Sequence, residues 1–291
     1  MKELFGRSLA HSSSALALQA LAVTPSTPAA PDLASSRGVR VSWARHLDEV
    51  RQAQRLRYQV FAEEMGARLT GPVVGHDVDL FDDYCEHLLV RDALSDAVIG
   101  TYRVLTPAQA ARVGSFYTDL EFDLTRLRDL RSRMVELGRS CVHPAHRQGG
   151  VILALWGALT QFMVRNQLDV MIGCASIPMR HQGLDTGQAA ASIWRQVRAT
   201  AMAPLDCQVL PRLPLPVGRL DTGLDVDPPA LIKGYLRLGA KVLGPPAWDP
   251  DFNTADLPMM MRTQDLPARY RRHFDLASSR SCHIPGLDSQ V

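Results

Sequence analysis

The stretch Met134-Val135-Glu136-Leu137-Gly138-Arg139-Ser140-Cys141-Val142-His143-Pro144, followed by Arg147-Gln148-Gly149-Gly150 and an apolar run to Arg165, decides the fold. Alternation over 134–142 predicts a strand, with Glu136, Gly138 and Ser140 on one face and Val135, Leu137, Arg139 and Cys141 on the other. His143-Pro144 breaks it. Two glycines then open a helix from about Val151 to Arg165, and Asp169 to Ala175 predicts a buried strand. Strand, loop, helix and strand make a crossover unit. A loop at the head of such a helix presents unpaired N–H groups, so a phosphate is the expected occupant there. The glycine pair taken alone equally suits a flexible turn.

Upstream, apolar residues recur at Leu47, Val50, Ala53, Leu56 and Val60, a spacing that predicts an amphipathic helix ending near Phe61, with Gly66 as its stop. His87 to Val90 and Val98 to Leu105, separated by Leu94-Ser95-Asp96, read as a hairpin. Downstream, Gln188 to Thr200 reads as a helix, Pro211 to Pro216 as irregular, and Pro228 to Leu238 as a helix closed by Gly239. Short strands are expected near Ala240 to Leu243 and Leu257 to Thr263.

The outer parts of the 291 residues read differently. Residues 1–38 are rich in Ala, Ser and Pro without a sustained period, and so predict a flexible leader; 276–291 are expected to form a flexible tail around a domain spanning 39–275. A secretory signal is disfavoured because His11, Gln19 and the serines interrupt the apolar core it needs. With 46% hydrophobic and 21% charged residues the chain is globular in composition. The run from Gly149 to Val164 falls short of the ~20 residues that span a membrane. The expected location is cytoplasmic, with possible peripheral contact at the inner membrane.

A net charge of +2 and the lack of zinc-finger or aromatic-basic patterns argue against nucleic acid. Five scattered cysteines without a CxxC suggest neither a disulfide framework nor a zinc site. Arginines cluster at Arg51, Arg55 and Arg57, at Arg126, Arg128, Arg131 and Arg133, and at Arg269, Arg271 and Arg272. They are either solvated faces or a docking face for an acidic protein.

The strand-loop-helix arrangement resembles the GNAT superfamily, which implies an α/β (α+β) acyl-CoA N-acyltransferase-like fold, a mixed central sheet flanked by helices. The GNAT pyrophosphate loop has the form R/Q-x-x-G-x-G/A, and Arg147-Gln148-Gly149-Gly150-Val151 departs from it, which favours a phosphopantetheine arm with a single phosphate over coenzyme A. A closer similarity covers residues 40–275. The segments Leu56-Arg57-Tyr58-Gln59-Val60-Phe61, Asp79-Leu80-Phe81-Asp82, Gly100-Thr101-Tyr102-Arg103, Glu121-Phe122-Asp123-Leu124, Glu136 to Val142 and Pro229 to Asp256 look like the ornithine N-acyltransferases. That resemblance implies an acyl carrier protein as partner and donor, its 3-hydroxyacyl chain held as a phosphopantetheine thioester, and the α-amino group of ornithine as acceptor. No tightly bound cofactor or metal is expected. Acyl-homoserine-lactone synthases are more distantly similar, through Arg57, Asp79, Asp82, Arg103, Glu136 and Arg139.

On these resemblances the expected catalytic set is Glu136, Arg139 and Ser140. Arg57, Phe61, Asp79, Asp82 and Arg103 are expected to bind substrate, and Val142, Arg147, Gly149 and Gly150 the phosphopantetheine. Attack on a thioester needs a neutral amine, so a carboxylate base has work to do, and Glu136 is the candidate; a structural pairing with Arg139 is the other reading. N–H donors for the tetrahedral intermediate are expected from a bulge around Gly138 to Ser140. Asp79, Asp82 and Asp83 either hold a cationic amine or cap a turn, and Arg103 either grips an anion or is an exposed strand residue.

Other sites read poorly. Ser140 lacks a Gly-x-Ser-x-Gly elbow, Cys141 with His143 lacks an orienting third group, and Asp249-Pro250-Asp251-Phe252-Asn253 lacks the glycine and closing glutamate of a calcium loop. The alternatives to ornithine acylation are an N-acyltransferase for another amine, or a non-catalytic carrier-protein or lipid-binding module of the same fold.

Overall fold

Alternating apolar residues and one Asx-type turn build the first sheet strands: β1 (Val39–Trp43), helix α1 (Leu47–Tyr58), β2 (Glu86–Asp92) and β3 (Val98–Leu105). The computed structural model describes residues 38–147, 150–268 and 270. The leader through residue 37, Gln148-Gly149, Arg269, Arg271, Arg272, Cys282 and the 276–291 tail lie outside the described residues. In the β2–β3 hairpin, Asp92 Oδ1 accepts from the Leu94 and Ser95 amides at 3.1 and 2.9 Å.

Helix α2 (Pro107–Val113) begins on a Thr106–Gln109 capping box and ends at Gly114 in the left-handed region. The short α3 (Thr118–Glu121), β4 (Phe122–Asp123) and a 3₁₀ segment, Thr125–Arg133, lead to β5 (Met134–Val142). Then come α4 (Gly150–Arg165), β6 (Val170–Pro178), α5 (Gln188–Ala201), β7 (Leu210–Pro211), α6 (Val217–Leu220), α7 (Ala230–Arg237), β8 (Lys241–Val242), β9 (Ala247–Asp249) and β10 (Thr254–Arg262).

The main sheet runs β1-β2-β3-β5-β6-β10-β8, with β9 also on β10; β4 and β7 pair apart from it. Every pairing in the main sheet is antiparallel except β5 with β6, the two strands of the crossover unit. Helix α4 covers one face, packing Val151, Leu155 and Leu159 against Val90, Tyr102, Val104 and Val135. Helix α1 lies on the opposite face, where Leu56 and Val60 meet Cys141. The fold is the mixed, helix-flanked sheet expected from the sequence. No helix among the described residues is long and apolar enough to cross a membrane.

Two local expectations are corrected. The first helix does not stop near Phe61: it continues as a π-helical turn, Gln59–Glu64, closed by Met65 N–H on the Val60 carbonyl before Gly66 ends it. The wider turn lets Val60 be buried while Phe61 lines a cavity. Alternation along β5 also fails. Thr101 opposes Cys141 but Arg103 opposes Gly138, so Arg139 and Ser140 together face Tyr102, and Arg139 takes φ of 50°. This bulge reverses the faces: Arg139 joins Glu136 on the Tyr117 side, whereas Ser140 turns away toward Tyr102 and Tyr235.

Candidate active site

Strands β5 and β6 pair through Met134–Val170, Val135–Met171 and Glu136–Ile172, and part beyond. Gly173 sits at the point of parting, where a Cβ would lie 2.3 Å from the Leu137 carbonyl oxygen. Gly173→Ala is therefore expected to cost about 1–3 kcal/mol, because backbone must move to admit the methyl. A denaturation midpoint equal to wild type would show that the strands separate freely there.

Past this point the β6-side edge of β5 has no strand partner, and a cavity of about 560 Å³ opens between the two strands. Its floor is the bulge, Gly138 to Ser140. One limb is apolar, with Ile152, Trp156 and Leu231; the other reaches Glu136, Cys174 and Asp256. Backbone amides freed from a ladder beside such a space suit a carbonyl oxygen that becomes an oxyanion.

Glu136 is 4% exposed, and its carboxylate accepts the Tyr117 and Thr118 amides, each at 2.6 Å, and the Thr118 hydroxyl. Burial pushes its pKa up, and the bonds from Thr118 and Tyr117 only partly pull it back. Arg139 does not pair with it. Instead Arg139 lies between the Tyr117 and Phe252 rings, 4.9 and 4.5 Å from their centroids, with Nη2 at 3.0 Å from Asp79 and Nε at 3.2 Å from Asp77.

The acidic loop is neutralised by arginine rather than open to an amine. Arg57 Nε donates to Asp77 at 2.8 Å and its Nη2 to Asp82 at 2.7 Å, while Arg103 Nη1 reaches Asp79 at 2.5 Å and Asp82 at 3.2 Å. Burial would raise the Asp79 and Asp82 carboxyls, but Arg103 with Arg139, and Arg57 with Arg103, outweigh it and hold both low. Neither aspartate lines the cavity at the parting. Asp82 at 5% exposure and Arg57 at 1% are buried, which corrects the expectations that Asp82 meets an amine and that Arg57 belongs to a surface cluster; Asp79 lines the neighbouring cavity and accepts the Phe81 amide at 2.9 Å, as the turn-capping alternative has it. Arg103 does line that cavity, but its guanidinium is already held by aspartates; Asp83 is exposed.

Phe61 lines the cavity edge-on to Phe252, with ring centroids 5.7 Å apart. Ser140 stands away from Glu136, in a hydroxyl cluster with Tyr102 and Tyr235. At the loop, Arg147 forms a two-pronged pair with Glu64 at 2.6 and 2.7 Å and donates to the Val142 carbonyl at 3.1 Å. Gly150 is the first residue of α4, and Gly149 is outside the described residues. Burial pushes the Cys141 thiol to about 12, which disfavours the thiolate a nucleophile needs, and His143 Nδ1 accepts the Ala145 amide. Asp249 Oδ1 caps the Asp251 and Phe252 amides as a turn, not a calcium loop.

Sequence reasoning passed over Tyr117, Asp77, Glu121, Cys174 and Asp256. Asp77 and Tyr117 sit in irregular segments without a motif. Glu121 and Asp256 lay inside the quoted similar segments; Asp256, flanked by Ala255 and Leu257, carried a signal as a charge in apolar surroundings, whereas Glu121, with Asp119 and Asp123 close by, did not stand out.

A parted parallel strand pair, a bulged strand and a helix-opening loop above a buried carboxylate define the class: a GNAT acyltransferase. The family model for the acetyltransferase (GNAT) domain matches residues 56–157. The chain is 37% identical over 245 residues to an L-ornithine N(alpha)-acyltransferase of Rhodobacter capsulatus, covering 79% of this chain and 92% of the relative. It is 36% identical over 248 residues to one of Agrobacterium fabrum, covering 79% and 83%. The chain belongs to the L-ornithine N(alpha)-acyltransferase family. Among solved structures, a CoA-dependent acyl-homoserine lactone synthase with SAM and isopentyl-CoA is similar at 18% identity and a TM-score of 0.49, covering 82% of this chain and 90% of that one.

Proposed function

We propose that this enzyme transfers a fatty acyl group, 3-hydroxylated as a rule, from the phosphopantetheine thioester of acyl carrier protein to the α-amino group of L-ornithine. The observation that carries the reading is Glu136, a buried carboxylate of raised pKa beside the bulge, in a chain whose relatives are named for this acylation.

Glu136 takes a proton from the substrate ammonium, directly or through water, and the amine nitrogen then attacks the thioester carbonyl carbon. Amides at the bulge hold the oxyanion. On collapse the C–S bond breaks and the C–N bond remains; the second nitrogen proton passes, directly or through water, to the departing thiolate, which leaves as a thiol, and Glu136 returns its proton to solvent. The hydroxyl cluster of Ser140, Tyr102 and Tyr235 lines the same cavity.

Two observations support a carrier protein over coenzyme A as donor. Arg147 is already committed to Glu64, which leaves less free positive charge for a pyrophosphate. Arg55, Arg126, Arg128 and Arg133 are exposed, although Arg133 pairs with Asp169; Arg131 is held by Asp119. Acidic carrier protein would dock on such charges and lose affinity as salt screens them.

The test is turnover of matched acyl-carrier-protein and acyl-coenzyme A donors with ornithine, followed by mass spectrometry of the product. Nα-acylornithine is expected, with at least about tenfold higher kcat/KM for the carrier-protein donor at 50 mM salt and a smaller preference near 500 mM. Equal use of both donors would remove the carrier protein from the reading. Preference for another amine would remove ornithine.

A further inference from the structure

Glu121 and Asp256 have no role in the chemistry above, yet they lie where the parting cavity meets a second one. Asp256 lines the first; Glu121 lines the second, of about 810 Å³, and Tyr117, Arg139 and Phe252 border both. The two carboxylates and the Cys174 sulfur lie within 4.8 Å of one another. Asp256 is 4% exposed and accepts the Thr254 hydroxyl at 2.8 Å. Both oxygens of Glu121 are buried without a well-formed hydrogen bond, with the Tyr117 hydroxyl and Cys174 thiol beside them. Burial raises both carboxyls, and Asp256 and Asp249 push Glu121 higher still. No Lys or Arg pairs with either among the described residues.

Carboxylates held together in an interior without a cation cost stability, whereas a cation arriving between them gains from both. The pair also sits at a defined place relative to the reacting centre. Glu136 takes the Thr118 hydroxyl, the Cys174 sulfur is 3.8 Å from that hydroxyl, and Cys174 adjoins the pair. Glu136 and Asp256 line the same cavity, so an acceptor carrying two nitrogens a few carbons apart can present one to each.

We propose that Glu121 and Asp256 bind the second, non-reacting ammonium of a diamino acid acceptor, and thereby select ornithine over amino acids with uncharged side chains. This deepens the ornithine reading and rests on Glu136 marking the reacting nitrogen.

The experiment uses full-length Glu121→Gln and Asp256→Asn, assayed with ornithine and with norvaline, which ends in a methyl group. In both variants KM for ornithine is expected to rise about tenfold or more, the ornithine-to-norvaline preference to shrink equally, and the donor KM to stay put. Unliganded Tm should change little in Glu121→Gln, because the amide replaces a carboxyl that burial and Asp256 already push up to about 9. An unchanged preference overturns the proposal, as does a fall in Tm with KM unaltered, which marks a structural pair. Loss of Tm and turnover in EDTA, restored by zinc or magnesium, would make the cluster a metal site and also overturn it. Direct binding separates this proposal from the ornithine reading. If wild type acylates some other amine, 1,4-diaminobutane should still raise the Tm of wild type and not of the variants; a rise in all three, or in none, overturns the pair's role.

Discussion

Glu136→Gln is expected to lower kcat/KM for the amine by about 100-fold or more at neutral pH, because the amide cannot accept the substrate proton. The same change disturbs structure. Glu136 accepts three donors from Tyr117 and Thr118, and a glutamine must turn its NH₂ toward one of them, so a stability loss of about 1–3 kcal/mol is expected alongside. Thr118→Ala separates the two effects: it removes one hydroxyl bond while leaving the carboxylate, and should cost stability with a far smaller loss of turnover. The pH profile gives a second separation. A base must be ionised, and burial raises the Glu136 pKa, so wild-type kcat/KM should fall as pH drops through that raised value. The variant should lack this acid limb and recover partly at high pH, where more amine is neutral. Turnover equal to wild type would leave Glu136 as a clamp on the 117–118 turn and nothing more.

Legibility in the sequence followed the range of the forces involved. The crossover unit was readable because alternation, a proline break and an apolar helix are local patterns, and Val151, Leu155 and Leu159 do face the sheet. The hairpin was readable from Leu94-Ser95-Asp96 for the same reason. The face of Arg139 was not. A bulge is set by pairing with Tyr102 on a strand more than thirty residues earlier, and one extra residue reverses every side chain beyond it. Partners of charges were equally opaque: Arg57, Arg103 and Arg139 were visible as residues, but only folding brings Asp77, Asp79 and Asp82 to them across 20 to 62 positions. Arg147 shows the same limit, since its partner Glu64 lies 83 residues away on the π-helical turn.

Asp82→Asn is expected to destabilise the fold by about 3–5 kcal/mol, the usual consequence of removing one side of a buried ion pair. Its carboxylate takes Arg57 at 2.7 Å, Gln54 at 3.0 Å, Arg103 at 3.2 Å and the Asp79 amide at 3.2 Å. Asparagine keeps one acceptor and adds an NH₂ among guanidiniums. Arg57, whose Nη1 already lacks a hydrogen bond, is then left with Asp77 alone as a charged partner. Asp83→Asn next door is exposed and should change stability by no more than about 0.5 kcal/mol, so the pair of variants isolates the lattice from the loop. The pH dependence has a fixed sign. Arg57 and Arg103 hold the folded-state pKa of Asp82 far below the unfolded value of about 3.9, so its stabilisation is complete above that value and is lost as pH falls toward the folded one. The gap between wild type and Asp82→Asn should therefore be constant from pH 8 to about 5 and close only in strong acid. A gap within experimental error at neutral pH would mean that Arg57 and Arg103 satisfy themselves without Asp82, and that the lattice does not hold the loop against β3 and the bulge.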